Sequence, residues 1–198
     1  MGPLTFLSQE RPHKRMKERG LVDSASANLQ HRARAGDQIA FEALLAPLLE
    51  SGFAVAVAIL GDRTDAEDAV QEAAVKMWRN FNQFRIGEDP RPWFLAIVSN
   101  QSRSMRRSHW WRARRQLNAE PFEVAAAAGT DWSERVDLRS ALAKLPRKHL
   151  LVLVLYFHLD LPIDEIASVI GCSPAATRQR IHRAVLALRP SMTLELNP

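Results

Sequence analysis

Cysteine is almost absent from this chain: Cys172 is the single one among 198 residues. One thiol excludes an internal disulfide and a cysteine-built metal centre. It falls between Gly171 and Ser173, where a turn has room for a small apolar side chain. Tyrosine is equally scarce, with one residue, and glycine reaches only 8. There is no Gly-rich phosphate loop and no nucleophile elbow. No His, Asp or Glu cluster has metal-ligand spacing. No catalytic site, metal or cofactor is therefore expected. Long apolar runs are missing as well. Phe53 to Leu60 stops far short of the roughly 20 residues that a membrane helix requires. No apolar segment behind a basic start resembles a secretory signal. The expectation is a cytoplasmic protein with no membrane insertion.

What is present is apolar residues at helical spacing and a surplus of arginine. Hydrophobic residues make up 46% of the chain, enough for a core. The formal net charge is +5 and the sequence pI is about 10.0. A basic balance points to nucleic acid or another anionic surface, and where the charge sits matters more than its sum.

Residues 1–25 are polar, with a charged run from His13 to Arg19, and read as a disordered extension. Met16 is an alternative start to Met1. From Ser26 the pattern is helical. Leu29 and Ala33 lead to a stop at Gly36, and Asp37 caps the next helix. Phe41, Leu44, Leu45, Leu48 and Leu49 recur at three- and four-residue steps. Pro47 and Ser51-Gly52 are expected to bend or divide that segment, and the apolar run beyond it ends at Gly61. Thr64 and Glu67 fit a capping box. The helix they open has Val70, Ala73, Ala74, Met77, Trp78 and Phe81 inside, with Asp68, Gln71, Glu72 and Arg79 outside. Phe84 to Pro92 is a loop, broken by Gly87, Pro90 and Pro92. In the helix that restarts at Pro92, Trp93, Ile97, Gln101 and Met105 follow the helical step, with Phe94 and Val98 widening the stripe. The helix ends in Ser102–Arg115, which holds six arginines and no acid, with Trp110 and Trp111 among them. Arginine beside aromatic rings suits phosphates and stacked bases.

Residues 116–135 change character. Glu120, Glu123, Asp131 and Glu134 are the charges before Arg135, and Ala125 to Gly129 is of low complexity, as in a linker. Helices resume near Val136, and Pro146 opens the next. His149 to Phe157 is almost wholly apolar, a pattern that also fits a buried strand; the Pro146 start and the helical neighbours favour a buried helix. Leu161 to Leu188 reads as a helix-turn-helix. Ile166, Ala167 and Ile170 share a face, Gly171 breaks the helix, and Ser173 with Pro174 starts another. Ile181, Ala184, Val185 and Leu188 turn inward, leaving Arg178, Gln179, His182 and Arg183 outside, as a major-groove helix requires. The fold class expected is all-α: two small helical domains, residues 26–115 and 136–190, joined by a flexible linker, with a tail at 191–198.

The constellation resembles a known family. Asp65-Ala66-Glu67-Asp68-Ala69-Val70-Gln71-Glu72, then Trp78, Phe84-Arg85 and Pro92-Trp93-Phe94-Leu95-Ala96-Ile97-Val98-Ser99-Asn100, is similar to region two of the sigma-70 family. Leu145-Pro146, Asp164-Glu165-Ile166-Ala167, Gly171-Cys172-Ser173 and Thr177 to Ala184 resemble its region four. Two such domains alone resemble the extracytoplasmic-function group. The resemblance implies a promoter-specificity subunit with two partners, core RNA polymerase (β′ clamp helices and β subunit) and promoter DNA. An anti-sigma factor is a further partner common in the group, and the cell compartment implied is the bacterial cytoplasm, at the nucleoid. By the same resemblance Asp68, Gln71 and Glu72 dock on polymerase. Phe84 and Arg85 belong to a loop holding a flipped base of the minus-ten element. Trp93 and Asn100 read or melt that element, and Arg103, Arg106 and Arg107 meet phosphates. Arg178, Gln179, His182 and Arg183 read the minus-thirty-five element, with Ser173 near a phosphate. Pro162, Ile163, Asp160, Pro174, Ala176 and Glu88-Asp89-Pro90 depart from the family's usual residues. In the place of a common Gly, Asp160 is a candidate cap for the first helix of the motif. Two competing readings are a dimeric helix-turn-helix regulator acting alone and an adaptor that sequesters another protein. Neither needs an acidic docking face together with two DNA surfaces.

Overall fold

Local chemistry sets each helix end. The computed structural model describes the backbone of residues 19–108 and 141–193, with side chains for 25–108 and 141–188. The proposed linker therefore lies outside the described residues, as do Trp110 and Trp111. Helix α1 (Arg19–Arg34) begins earlier than the Ser26 expected, and Gly36 closes it with φ +93°. Asp37 caps α2 (Gln38–Leu45), accepting from the Ala40 N–H at 3.1 Å. That bond, with the Arg32 guanidinium beside it, holds the Asp37 carboxyl below the usual carboxylate range. Pro47 turns the chain through one 3₁₀ turn, Ala46–Leu48, into α3 (Leu49–Leu60).

Gly52 was expected to help break this segment and does not. It lies buried inside α3, where a Cβ would stand 2.7 Å from a ring carbon of Phe94. Its role is the close approach of α3 to the helix Pro90–Arg107. Because Pro47 bends the path without ending it, Gln38–Leu60 forms a run of 23 residues whose most apolar 18-residue stretch has mean hydropathy 2.1, long and apolar enough to cross a membrane. The uncharged run from Phe53 alone does not reveal this length. Half of the most apolar part is buried within the protein, packed on other helices, as a core helix is.

Helix α4 (Arg63–Arg79) is capped by Asp62, not by Thr64: the Asp65 N–H donates to Asp62 Oδ1 at 2.8 Å. The start moves two residues upstream because Asp62 is extended and its carboxylate reaches the third helical N–H. Glu67 is released to pair with Arg63 at 3.0 Å. After a 3₁₀ turn (Phe81–Gln83), Asp89 caps α5 (Pro90–Arg107), with Pro90 in the first turn. Helices α3, α4 and α5 pack on one another, and α1 packs on α2.

The second helical unit resumes at residues 141–144. Helix α6 (Arg147–Leu153) continues into a π-helical turn, Val154–His158, so the apolar run is helical and not a strand. Asp160 then takes φ +49°, the conformation that glycine adopts freely. It turns the chain and does not cap: α7 (Ile163–Ile170) starts behind Pro162 with no side-chain cap. Gly171 at φ +71° leads to α8 (Pro174–Thr193), which extends past the expected end at residue 190.

The two units are not separate bodies. One core of buried residues runs from Ala33 and Phe41 through Leu60 and Phe94 to Val152, Ile166 and Ala184. Helix α5 packs on α7, and α3 on α6. The Arg91 guanidinium bridges the seam, donating to the Leu159 carbonyl at 3.0 Å and to Ser51 Oγ at 3.4 Å. Every described element is helical.

Candidate nucleic-acid interface

Aromatic packing builds the first surface. Phe81 lies edge-on to Phe41 and stacks on Phe84 (5.4 Å between centroids), which stacks on Trp93 (5.2 Å). Phe84 is only 4% exposed. It backs Trp93 from inside while bordering the loop groove, because an aromatic ring at this loop's start is more stable buried than wet. Trp93 is half-buried and borders two grooves. One, of about 470 Å³, runs between α4 and α5 and is lined by Lys76, Asn80, Gln83, Trp93, Ile97, Asn100, Gln101 and Ser104. The other, about 390 Å³, is walled by the loop residues Phe84, Arg85, Glu88 and Asp89, with Gln83, Pro92, Trp93 and, from the second unit, Glu165.

The stripe Trp93–Ile97–Gln101 therefore faces a groove. The core side of α5 is Phe94, Leu95, Val98, Ser99 and Ser102. Asn100 stands exposed in the groove. Lys76, Asn80, Gln83 and Gln101 were missed. Gln101 follows the apolar step in the sequence, and the others show no local signal; only the crossing of α4 with α5 assembles them. Lys76 donates to Gln101 Oε1 across the groove. Arg85 is exposed and paired with Glu88 at 3.2 Å. Arg103 is half-buried; burial first, then Arg180, Arg106 and Arg107 nearby, push its pKa below the ordinary guanidinium value. Arg106 is half-buried and Arg107 exposed.

Nearer the start of α4, Asp68, Gln71 and Glu72 are all exposed, in one strip that carries two carboxylates. The helix-turn-helix surface also stands where expected. Ser173 caps α8, accepting from the Ala176 N–H at 3.2 Å. Thr177 is buried and donates to the Ser173 carbonyl at 3.1 Å, while Cys172 Sγ lies 3.2 Å from its hydroxyl. Ile181 and Ala184 are buried; Arg178, Gln179 and Arg183 are exposed, and His182 is half-buried.

Two family models match the chain in the order of these surfaces: Sigma-70 region 2 over residues 45–112 and Sigma-70, region 4 over residues 135–188. The chain belongs to the sigma-70 family, in its extracytoplasmic-function group. This sigma factor is 30% identical over 183 residues to the probable RNA polymerase sigma factor RfaY of Xanthomonas campestris. That alignment takes in 85% of the chain and 45% of RfaY, so the chain spans less than half of this relative. With SigV of Bacillus subtilis it shares 27% identity, covering 72% of the chain and 85% of SigV. Among solved structures, CnrH in complex with the cytosolic domain of CnrY is 28% identical, with TM-score 0.61, covering 86% and 99% of the two chains. RpoE of Bartonella quintana, solved with the anti-sigma factor NepR, is alike in fold at TM-score 0.64 and 22% identity, covering 78% and 98%. The sigma factor acts in transcription initiation.

Proposed function

We propose that this sigma factor docks on core RNA polymerase through Asp68, Gln71 and Glu72, and reads two promoter elements with its two helical units. An acidic strip on a basic protein suits a basic partner surface. The groove between α4 and α5, with Trp93, Asn100, Asn80 and Gln101, takes the unpaired bases of the minus-ten element. Arg85 and the loop around it hold a flipped base, and Arg103, Arg106 and Arg107 meet the backbone. Helix α8 reads the minus-thirty-five element with Arg178, Gln179, His182 and Arg183, and Ser173 lies beside a phosphate. Strand separation follows from trapping unstacked bases in an aromatic and amide-lined groove, where stacking is worth about 1–3 kcal/mol per base. Bond-making stays with the polymerase.

The observation that carries this reading is the pairing, in one chain, of a helix-turn-helix for duplex DNA with a polar, Trp-edged groove suited to single-stranded bases. A stand-alone operator reader has no use for the second. Partners follow: core polymerase, promoter DNA and, since RpoE was solved with an anti-sigma factor and CnrH with the cytosolic domain of another protein, an anti-sigma factor. The place of action is the bacterial cytoplasm. The test is run-off transcription with purified core polymerase on a promoter library randomised over both elements. Enriched promoter-dependent transcripts are expected. Initiation that stays at the level of core alone, with the added protein folded, refutes the proposal.

A further inference from the structure

The loop that follows Phe84 is exposed at Arg85, Gly87, Glu88 and Asp89, yet its backbone is held by side chains from far upstream. Gln30 on α1 donates from Nε2 to the Glu88 carbonyl at 3.1 Å, and its Oε1 accepts from the Gly87 N–H at 2.7 Å. Nε2 also lies 3.3 Å from Ser26 Oγ. Arg34, one turn along, donates to the Phe84 carbonyl. Three backbone groups of one loop are thus taken by one helix. Gly87 sits at φ +89°, a conformation that glycine takes without penalty.

Gln30 is 2% exposed. A buried amide is costly unless both ends are bonded, and an apolar residue of similar volume would fill the same space without that cost. Packing alone does not account for glutamine here. Its two-ended grip on the backbone of two adjacent residues, Gly87 and Glu88, does: it fixes the height and tilt of the loop that carries Arg85 and Glu88. It belongs to a helix that precedes the region 2 match, which begins at residue 45.

We infer that Gln30, with Arg34 as a second handle, is a positioning residue for base selection: it sets the loop against Trp93 so that the flipped base meets a fixed rim. This rests on the reading of the loop as a base holder. Side chains that recognise a base must be held within a fraction of an ångström, and a loop free to move loses discrimination before it loses binding.

The test uses the full-length protein reconstituted with core polymerase and an enriched promoter rebuilt with each of the four bases at every melted position. Gln30→Met keeps the volume and removes both hydrogen bonds; Arg34→Ala removes the exposed handle and leaves the core intact. Arg85→Ala and Glu88→Ala report on the loop itself. The expected result is a loss of about fivefold in base discrimination at the one position that the loop variants also alter, the order of one net hydrogen bond. Core affinity and selectivity at the minus-thirty-five element should stay at wild-type values. If the loop variants shift base preference while Gln30→Met and Arg34→Ala leave it untouched, the inference is overturned and the loop reading stands. If no loop variant alters preference at any melted position, the loop reading fails and the inference falls with it. If Gln30→Met lowers transcription from every template by the same factor, Gln30 is only structural and the inference is likewise overturned. A Gln30→Met protein that does not fold leaves the decision to Arg34→Ala.

Discussion

Gly52 sets two effects against each other. Replacing a helical glycine by alanine gains about 1 kcal/mol of helix propensity. Here the new methyl would meet Phe94, a fully buried ring, at 2.7 Å. Overpacking of a closed core costs about 1–3 kcal/mol, so Gly52→Ala should lower stability in urea unfolding despite the better helix former. His149 makes a pH prediction. Burial first, then Lys148, Arg180 and Arg183, hold its pKa below the ordinary imidazole value. Its Nδ1 has no hydrogen-bond partner among the described residues. The unfolded chain therefore takes up a proton that the folded chain resists. Stability is full above the unfolded-state value of about 6.5 and is lost as pH falls through it toward the lower folded value. His149→Gln should flatten the melting temperature measured between about pH 7.5 and pH 5.5. Phe84 is the instructive residue at this scale. Its place in the motif was plain, but whether a ring faces DNA or the core depends on Phe81 and Trp93, and no spacing rule supplies that.

Helix α4 divides its labour by face. The buried side is small, with Ala66, Ala69 and Ala73 letting neighbours approach, while Asp68, Gln71 and Glu72 stand clear of all packing. Asp68→Arg with Glu72→Arg should abolish co-purification with core polymerase and leave the circular dichroism melt unchanged, since exposed charges contribute about 0–1 kcal/mol to folding. Wild-type retention of core would remove this face from the docking role. On α8, Arg178→Ala should cost about 1–3 kcal/mol of discrimination at one minus-thirty-five base pair. Its penalty should no longer add to that of mutating the base it contacts. Unchanged selectivity would assign the contact elsewhere. The faces of these two helices were legible because amphipathic helices advertise them at period 3.6. Helix α5 was only half legible. Trp93, Ile97 and Gln101 obey the same step as core residues but line a groove, because α4 covers the neighbouring stripe.

At the scale of the whole molecule, the two units are closed on each other. Glu165 stands at the rim of the loop groove, and Arg180 of α8 lies close enough to Arg103 of α5 to lower its pKa. Elements named ten and thirty-five are separated by about 25 base pairs, ~85 Å of duplex. A compact chain of this length has a radius of gyration of only ~16 Å. On the proposed two-element reading, the closed form cannot reach both, and engagement of polymerase and promoter is expected to require α7 and α8 to leave α5. Dyes at the exposed positions Ile39 and Leu186, in a Cys172→Ser background, should report a short distance in the free protein and a longer one on binding core polymerase. An unchanged distance in the complex would mean that the closed form is the working one. The like-charged arginines at the seam repel more strongly at low ionic strength, so lowering salt should shift the free protein the same way.

Amino-acid order by itself determined the helical class, the stops at Gly36, Gly61 and Gly171, the Asp37 cap, the exposed acidic face of α4 and the cationic face of α8. Each rests on interactions within about one helical turn, which a sequence carries locally. The tertiary structure alone decided that Gly52 is a contact point, that Phe84 is buried, that Lys76, Asn80 and Gln101 share a groove, and that Gln30 grips a loop 57 residues away. It also decided that the two units share one core. These depend on which surfaces meet, and helix periodicity gives the face a residue occupies without naming what will cover it.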